Sequence, residues 1–133
     1  MSSLNLAYDL SVNIGIEPNA HAAGAVLGVG IATADFDEAL IILHMGVIGT
    51  SILLKMQDDP AVGGSYSDIT GATFGTIATA ADQAILKGRL KLHDVDAFLR
   101  CHLTVTSTAS DVSAAILLFR GGKGPYGTLT FNV

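Results

Sequence analysis

The residues of this chain best suited to catalysis or metal binding are four histidines (His21, His44, His93 and His102), one cysteine (Cys101) and two glutamates (Glu17 and Glu38). A zinc hydrolase of the commonest kind needs two histidines one helical turn apart with a glutamate beside the first, and no H-E-x-x-H occurs. His93, Asp94 and Asp96 form the one local cluster with ligand-like chemistry. One short loop rarely supplies converging ligands, so it reads as a solvated turn. Cys101 and His102 are adjacent, and on a strand adjacent side chains take opposite faces, which rules out a thiolate–imidazole pair within that strand. Cys101 then reads as a small buried hydrophobe, and His44, inside an apolar run, as a packed core histidine or a subunit contact. Asp58-Asp59-Pro60 is a carboxylate pair whose simplest use is a turn.

Phosphate chemistry fares no better. Gly28-Val29-Gly30 begins a dinucleotide fingerprint but lacks the third glycine and a following helix, and Gly121-Gly122-Lys123-Gly124 lacks the spacing and hydroxyl of a phosphate loop. With one cysteine, no internal disulfide or C-x-x-C pair is possible. The residues therefore point to no enzyme, no metal and no cofactor.

The elements that must carry these residues are strands. From Leu4 to Glu17 one parity holds Leu4, Leu6, Tyr8, Leu10, Val12, Ile14 and Ile16 and the other is mostly polar, the period of a half-buried strand or arm, with Pro18-Asn19 as its stop. Ala20–Ala34 is small and apolar, and its glycines at 24, 28 and 30, each costing a helix about 1 kcal/mol relative to alanine, favour a flat or bulged strand. Ala39–Met45 and Ser51–Met56 read as two strands at the centre of a sandwich, covered on both faces and joined by a Gly46–Thr50 turn. Residues 57–65 read as a loop, and Ser67–Ala72 and Thr73–Thr79 as two short strands. Ala80–Lys87 could make a helical turn, although Leu86, Leu90 and Leu92 alternate with Lys87, Arg89 and Lys91. Ala97–Thr106 and Val112–Phe119 are strands by composition, and a Gly-Pro break sets off a tail, Tyr126–Val133.

The expected fold is thus all-β: a single-domain antiparallel sandwich over 1–133, jelly-roll-like, with eight or nine strands, an N-terminal strand or arm (4–17) and a C-terminal tail (126–133). Val12, Ile14, Leu43, Leu53, Leu99, Val105, Ile116 and Leu118 are the expected core.

Composition narrows the partners. The 133 residues are 50% hydrophobic and only 14% charged, against about 25% in ordinary soluble domains, so part of the surface should be buried against other chains. A net charge of -5 offers no footprint for nucleic acid. The longest uncharged stretch, Ala39–Leu54, falls short of the ~20 residues of a membrane-spanning helix and is broken by His44, Gly46 and Gly49, so no membrane role is expected. No secretory signal opens the sequence, so synthesis in a cytoplasm is expected.

One further pattern runs through the middle of the chain. Ile52-Leu53-Leu54-Lys55-Met56-Gln57-Asp58-Asp59, Tyr66-Ser67-Asp68-Ile69, Phe74-Gly75, Asp96–Thr106 with its Phe98-Leu99-Arg100 start, and Ala114-Ala115-Ile116-Leu117-Leu118 together resemble a family of small structural proteins of tailed bacteriophage heads. The resemblance covers about Gly28 to Gly122. Asp58-Asp59-Pro60 stands where the family commonly has Ser-Asp-Asp-Gly, and Phe98 where it commonly has Tyr. The resemblance implies a cement or decoration subunit: a β-sandwich made in the host cytoplasm, seated as a homotrimer on the virion's capsid exterior, and bridging copies of the major capsid protein. A carbohydrate- or host-binding jelly roll of a head fibre or tail tip is the alternative, disfavoured by the absence of Trp and only 6% aromatics. Both chain ends are expected to contribute assembly contacts, through Leu4, Leu6 and Tyr8 at one end and Tyr126, Leu129 and Phe131 at the other, unless they simply complete their own sheet.

Overall fold

The computed structural model describes residues 10–79 and 83–120, together with the backbone of 130–131. Ten strands occur among the described residues: β1 (Leu10–His21), β2 (Gly24–Leu27), β3 (Ile31–Ala32), β4 (Glu38–Met45), β5 (Ser51–Asp59), β6 (Ser67–Ala78), β7 (Ile85–Lys91), β8 (Phe98–Thr106), β9 (Ser110–Phe119) and β10 (Thr130–Phe131). Two of them, β3 and β10, are two residues long, and no α-helix is present among the described residues.

Two antiparallel sheets pack as a sandwich. The first runs β1-β9-β4-β7-β10 and the second β2-β8-β5-β6, with β3 also on β8. Setting aside β3 and β10, the eight longer strands in chain order pair first with eighth, second with seventh, third with sixth and fourth with fifth. That nesting is a long antiparallel hairpin rolled up on itself, the jelly-roll order.

Alternation builds the core. Ala39, Ile41, Leu43 and Met45 of β4 and Val112, Ala114, Ile116 and Leu118 of β9 face inward from the first sheet; Ile52, Leu54 and Met56 of β5 and Leu99, Cys101, Leu103 and Val105 of β8 face them from the second. Phe74, from β6, is the largest fully buried side chain. On one flank the sheets come so close that side chains do not fit. A Cβ on Gly15 would lie 2.6 Å from Cys101 Sγ, and one on Gly28 would lie 2.2 Å from the Gly15 carbonyl oxygen.

Several expectations are corrected. Of the expected core, Leu43, Leu99, Val105, Ile116 and Leu118 are buried, but Val12 and Ile14 are 68% and 65% exposed, and Leu53 is half-buried on an outward face. The reason is a bulge. Val12 pairs with Leu117 and Ile14 with Ala115, both outward, whereas after the register slip at Gly15, Ile16 pairs with inward Ala114. Pro18 does not stop β1, because an edge strand with a second register slip between Ile16 and Asn19 asks no ladder bond of it. β4 and β5 are covered on one face only and lie in different sheets. The expected pair of strands at 67–79 is a single β6, kinked where Gly71 and Gly75 take φ of 82° and 74°. Gln57–Asp59 belongs to β5, not to a loop. The possible helical turn over Ala80–Lys87 lies partly outside the described residues; its last three residues belong to β7.

Truncation should separate the two faces of the sandwich. Ile116→Ala or Leu103→Ala is expected to cost about 2–5 kcal/mol in urea unfolding, and Val12→Ala to stay within about 0.5 kcal/mol in the isolated chain.

Candidate functional site

Because a sheet alternates, each outward face is built by the parity the core does not use. On the first sheet the register sets three rows across β1, β9, β4 and β7: Leu10-Phe119-Glu38-Lys91, Val12-Leu117-Leu40-Arg89 and Ile14-Ala115-Ile42-Lys87. The columns from β1, β9 and β4 are apolar apart from Glu38, and the β7 column is wholly basic. Glu38 is buried against that basic edge and bonded by Arg89 Nε. β1 is inverted relative to the usual rule: Val12 and Ile14 face solvent, while Ser11 and Asn13 take the inward parity, Asn13 Nδ2 donating to Ser11 Oγ at 3.2 Å and to the Ile116 carbonyl at 3.4 Å. His44, expected in the core or at a subunit contact, is exposed beyond these rows, beside a shallow cleft of about 300 Å³ that Pro18, Asn19, Ala20 and Asp111 help to line.

The outward face of the second sheet carries a bonded polar network beside the apolar side chains of Leu27 and Leu53. Lys55 Nζ donates to Asp68 Oδ2 at 2.9 Å, Gln57 Nε2 to Asp68 Oδ1 at 2.8 Å, and Arg100 Nε to Gln57 Oε1 at 3.0 Å. The Arg100 guanidinium lies 4.1 Å from the centre of the Tyr66 ring, whose hydroxyl donates to the Val62 carbonyl. Gln57, Tyr66, Asp68 and Arg100 come from three separate stretches of the sequence, and the sandwich gathers them into one chain of bonds. The clue in the sequence is the shared parity of Lys55 and Gln57 on one strand and of Arg100 and His102 on another.

His102 sits opposite Lys55 and Leu27 on the same face. Its Nδ1 is buried with no hydrogen-bond partner among the described residues. Burial, and then the Lys55 charge, hold its pKa below the ordinary 6.5. The hydrogen bonds from Gln57 and then Lys55 hold the Asp68 carboxyl below 3.8. On the inner side of the same strand, burial pushes the Cys101 thiol up to about 12, so the expected separation of Cys101 and His102 onto opposite faces is what the strand delivers.

The remaining candidates do other work. Asp58 Oδ2 accepts from the Asp96 amide and Asp59 Oδ2 from the Ala61 amide, both turn-fixing bonds. His93 Nε2 meets Asp94 Oδ2 at 2.9 Å, both well exposed. No group of three metal-ligating side chains converges among the described residues, and no described helix is long and apolar enough to cross a membrane. Leu4, Leu6, Tyr8, Tyr126 and Leu129 lie outside the described residues; the Phe131 backbone pairs with Gly88 of its own chain.

Two titrations follow. Between about pH 7 and the lowered His102 pKa, the unfolded chain takes up a proton that the folded chain refuses, so stability falls as pH falls through that window; His102→Gln should flatten it in urea unfolding. The Asp68 contribution is present above pH 3.8 and lost as pH drops through its lowered pKa, so Asp68→Asn should remove only that acid-side loss. Cys101 should resist alkylation by iodoacetamide at pH 8 in the folded protein and react once urea unfolds it.

In comparison with known proteins, the chain matches no family model and no curated protein.

Proposed function

We propose that this chain is a structural, non-enzymatic subunit of a tailed-phage head, seated on the capsid exterior and stabilising contacts between major capsid proteins. The observation that carries the reading is the outward face of the first sheet. A strand that turns Val12 and Ile14 to solvent and keeps Ser11 and Asn13 on its inner parity leaves apolar surface that a covering chain would bury. Apolar faces of this kind belong to interfaces between chains, and the low charge of the whole sequence agrees. The resemblance to head proteins directs that assembly role to a capsid. The fold by itself does not, since jelly rolls also serve lectins and enzymes.

A sugar-binding role has less to stand on. Glycan platforms need an open aromatic face, and the Tyr66 ring on the second sheet is already stacked by Arg100. On this reading the chain has no catalytic residue, no cofactor and no nucleic-acid partner.

The test uses decoration-free empty heads of the phage that encodes the chain. Purified protein should co-sediment with them to saturation and raise the temperature at which they rupture. A chain that neither binds the heads nor shifts their rupture, yet is retained by a glycan array, belongs to the alternative reading.

A further inference from the structure

The apolar face of the first sheet has no cover among the described residues, and the sequence holds a segment with the matching need. The β1 alternation continues upstream of Leu10 through Tyr8, Leu6 and Leu4, on the parity that β1 turns outward at Val12 and Ile14. Residues 1–9 contain neither glycine nor proline, and a reversal inside them would break the alternation. Nothing in this stretch signals a fold back over its own sheet.

Its own chain also offers poor company straight ahead. The β1–β9 register is described from Leu10 opposite Phe119 onward, and the residues that follow Phe119 in the sequence, Arg120-Gly121-Gly122-Lys123-Gly124, hold no apolar side chain. Thr130–Phe131 pairs with β7, at the edge of the sheet opposite β1. One molecule thus carries an apolar face with no cover among the described residues and, in the sequence of residues 4–9, an apolar segment with the same period of two.

Resting on the reading of this face as an assembly surface, we propose that its occupant is residues 4–9 of a second copy of this chain, with Leu4, Leu6 and Tyr8 turned onto the apolar columns of β1, β9 and β4. At about 3.3 Å per residue those six residues span roughly 20 Å, enough to cross the three columns, which at about 4.8 Å between strands are roughly 10 Å wide. The arrangement is heterologous: the arm of each copy meets the face of the next, and a ring closes it.

The experiment mixes isotopically heavy and light full-length chains, each carrying a photo-crosslinking phenylalanine analogue in place of Leu6, and maps the adducts by mass spectrometry. Adducts joining heavy to light chains at peptides of β1, β9 or β4 are expected. Links confined within one chain would overturn the proposal, and so would a wild-type protein that sediments as a single 13.7 kDa chain at 100 µM. Deleting residues 2–8 and, separately, Ile14→Lys on the exposed face should each convert the oligomer to that single-chain mass; an oligomer that survives both overturns it as well. Head binding is scored independently. Head binding by a chain that remains monomeric sinks the arm exchange and spares the capsid reading, whereas an arm-linked oligomer that ignores heads does the reverse.

Discussion

A β-sheet has two faces and this sandwich has one interior, so every strand must decide which of its parities goes in. That constraint governs the rest of the molecule. For β4, β5, β8 and β9 the decision is enforced by apolar residues on the inner parity, from Ala39 to Met45 and from Val112 to Leu118, and a slip of one residue would exchange them with the outward set. The nested pairing then has little freedom. With β9 locked between β1 and β4, and β8 between β2 and β5, the two sheets can meet on one pair of faces alone.

What the interior leaves out becomes the surface, and the two surfaces differ in kind. The second sheet presents Lys55, Gln57, Asp68 and Arg100 already bonded to one another, with Leu27 and Leu53 beside them. The first presents Val12, Leu117, Leu40, Ile14 and Ile42 in register, bordered by Lys87, Arg89 and Lys91, and leaves apolar surface that a covering chain would bury. Such asymmetry suits a subunit that packs on one side and faces solvent on the other. On the proposed assembly role it also separates stability from assembly: Ile116 is buried in the domain core, and exposed Ile14 is left for a covering chain.

Close approach sets the geometry where β1 meets the second sheet. Gly15 and Gly28 leave room for the Cys101 sulfur and for one backbone to pass another. The same Gly15 is the point at which β1 slips register, so one residue both admits the neighbouring sheet and reverses the face that β1 turns to the core. A single absent side chain thus lies where β1, β9 and the second sheet meet, at the point where the polarity of an outer face is set.

The sequence by itself determined that the chain is all-β, since period-two alternation, frequent turn residues and the lack of any helical stripe are local properties that tertiary contacts need not supply. It also determined the opposite placement of Cys101 and His102, which follows from strand geometry alone. The inward parity of Leu99 and Val105 was legible for the same reason, since Arg100, His102, Thr104 and Thr106 fill the other parity of β8, whereas Leu40, Ile42 and Leu117 give β4 and β9 a competing apolar face that only pairing resolves. Only the tertiary structure decided that Val12 and Ile14 point outward, because alternation fixes a period and not a sign, and the sign depends on a bulge whose position is set by pairing with β9. Only it could gather Gln57, Tyr66, Asp68 and Arg100, which are far apart in the chain and become neighbours because β5 lies between β6 and β8.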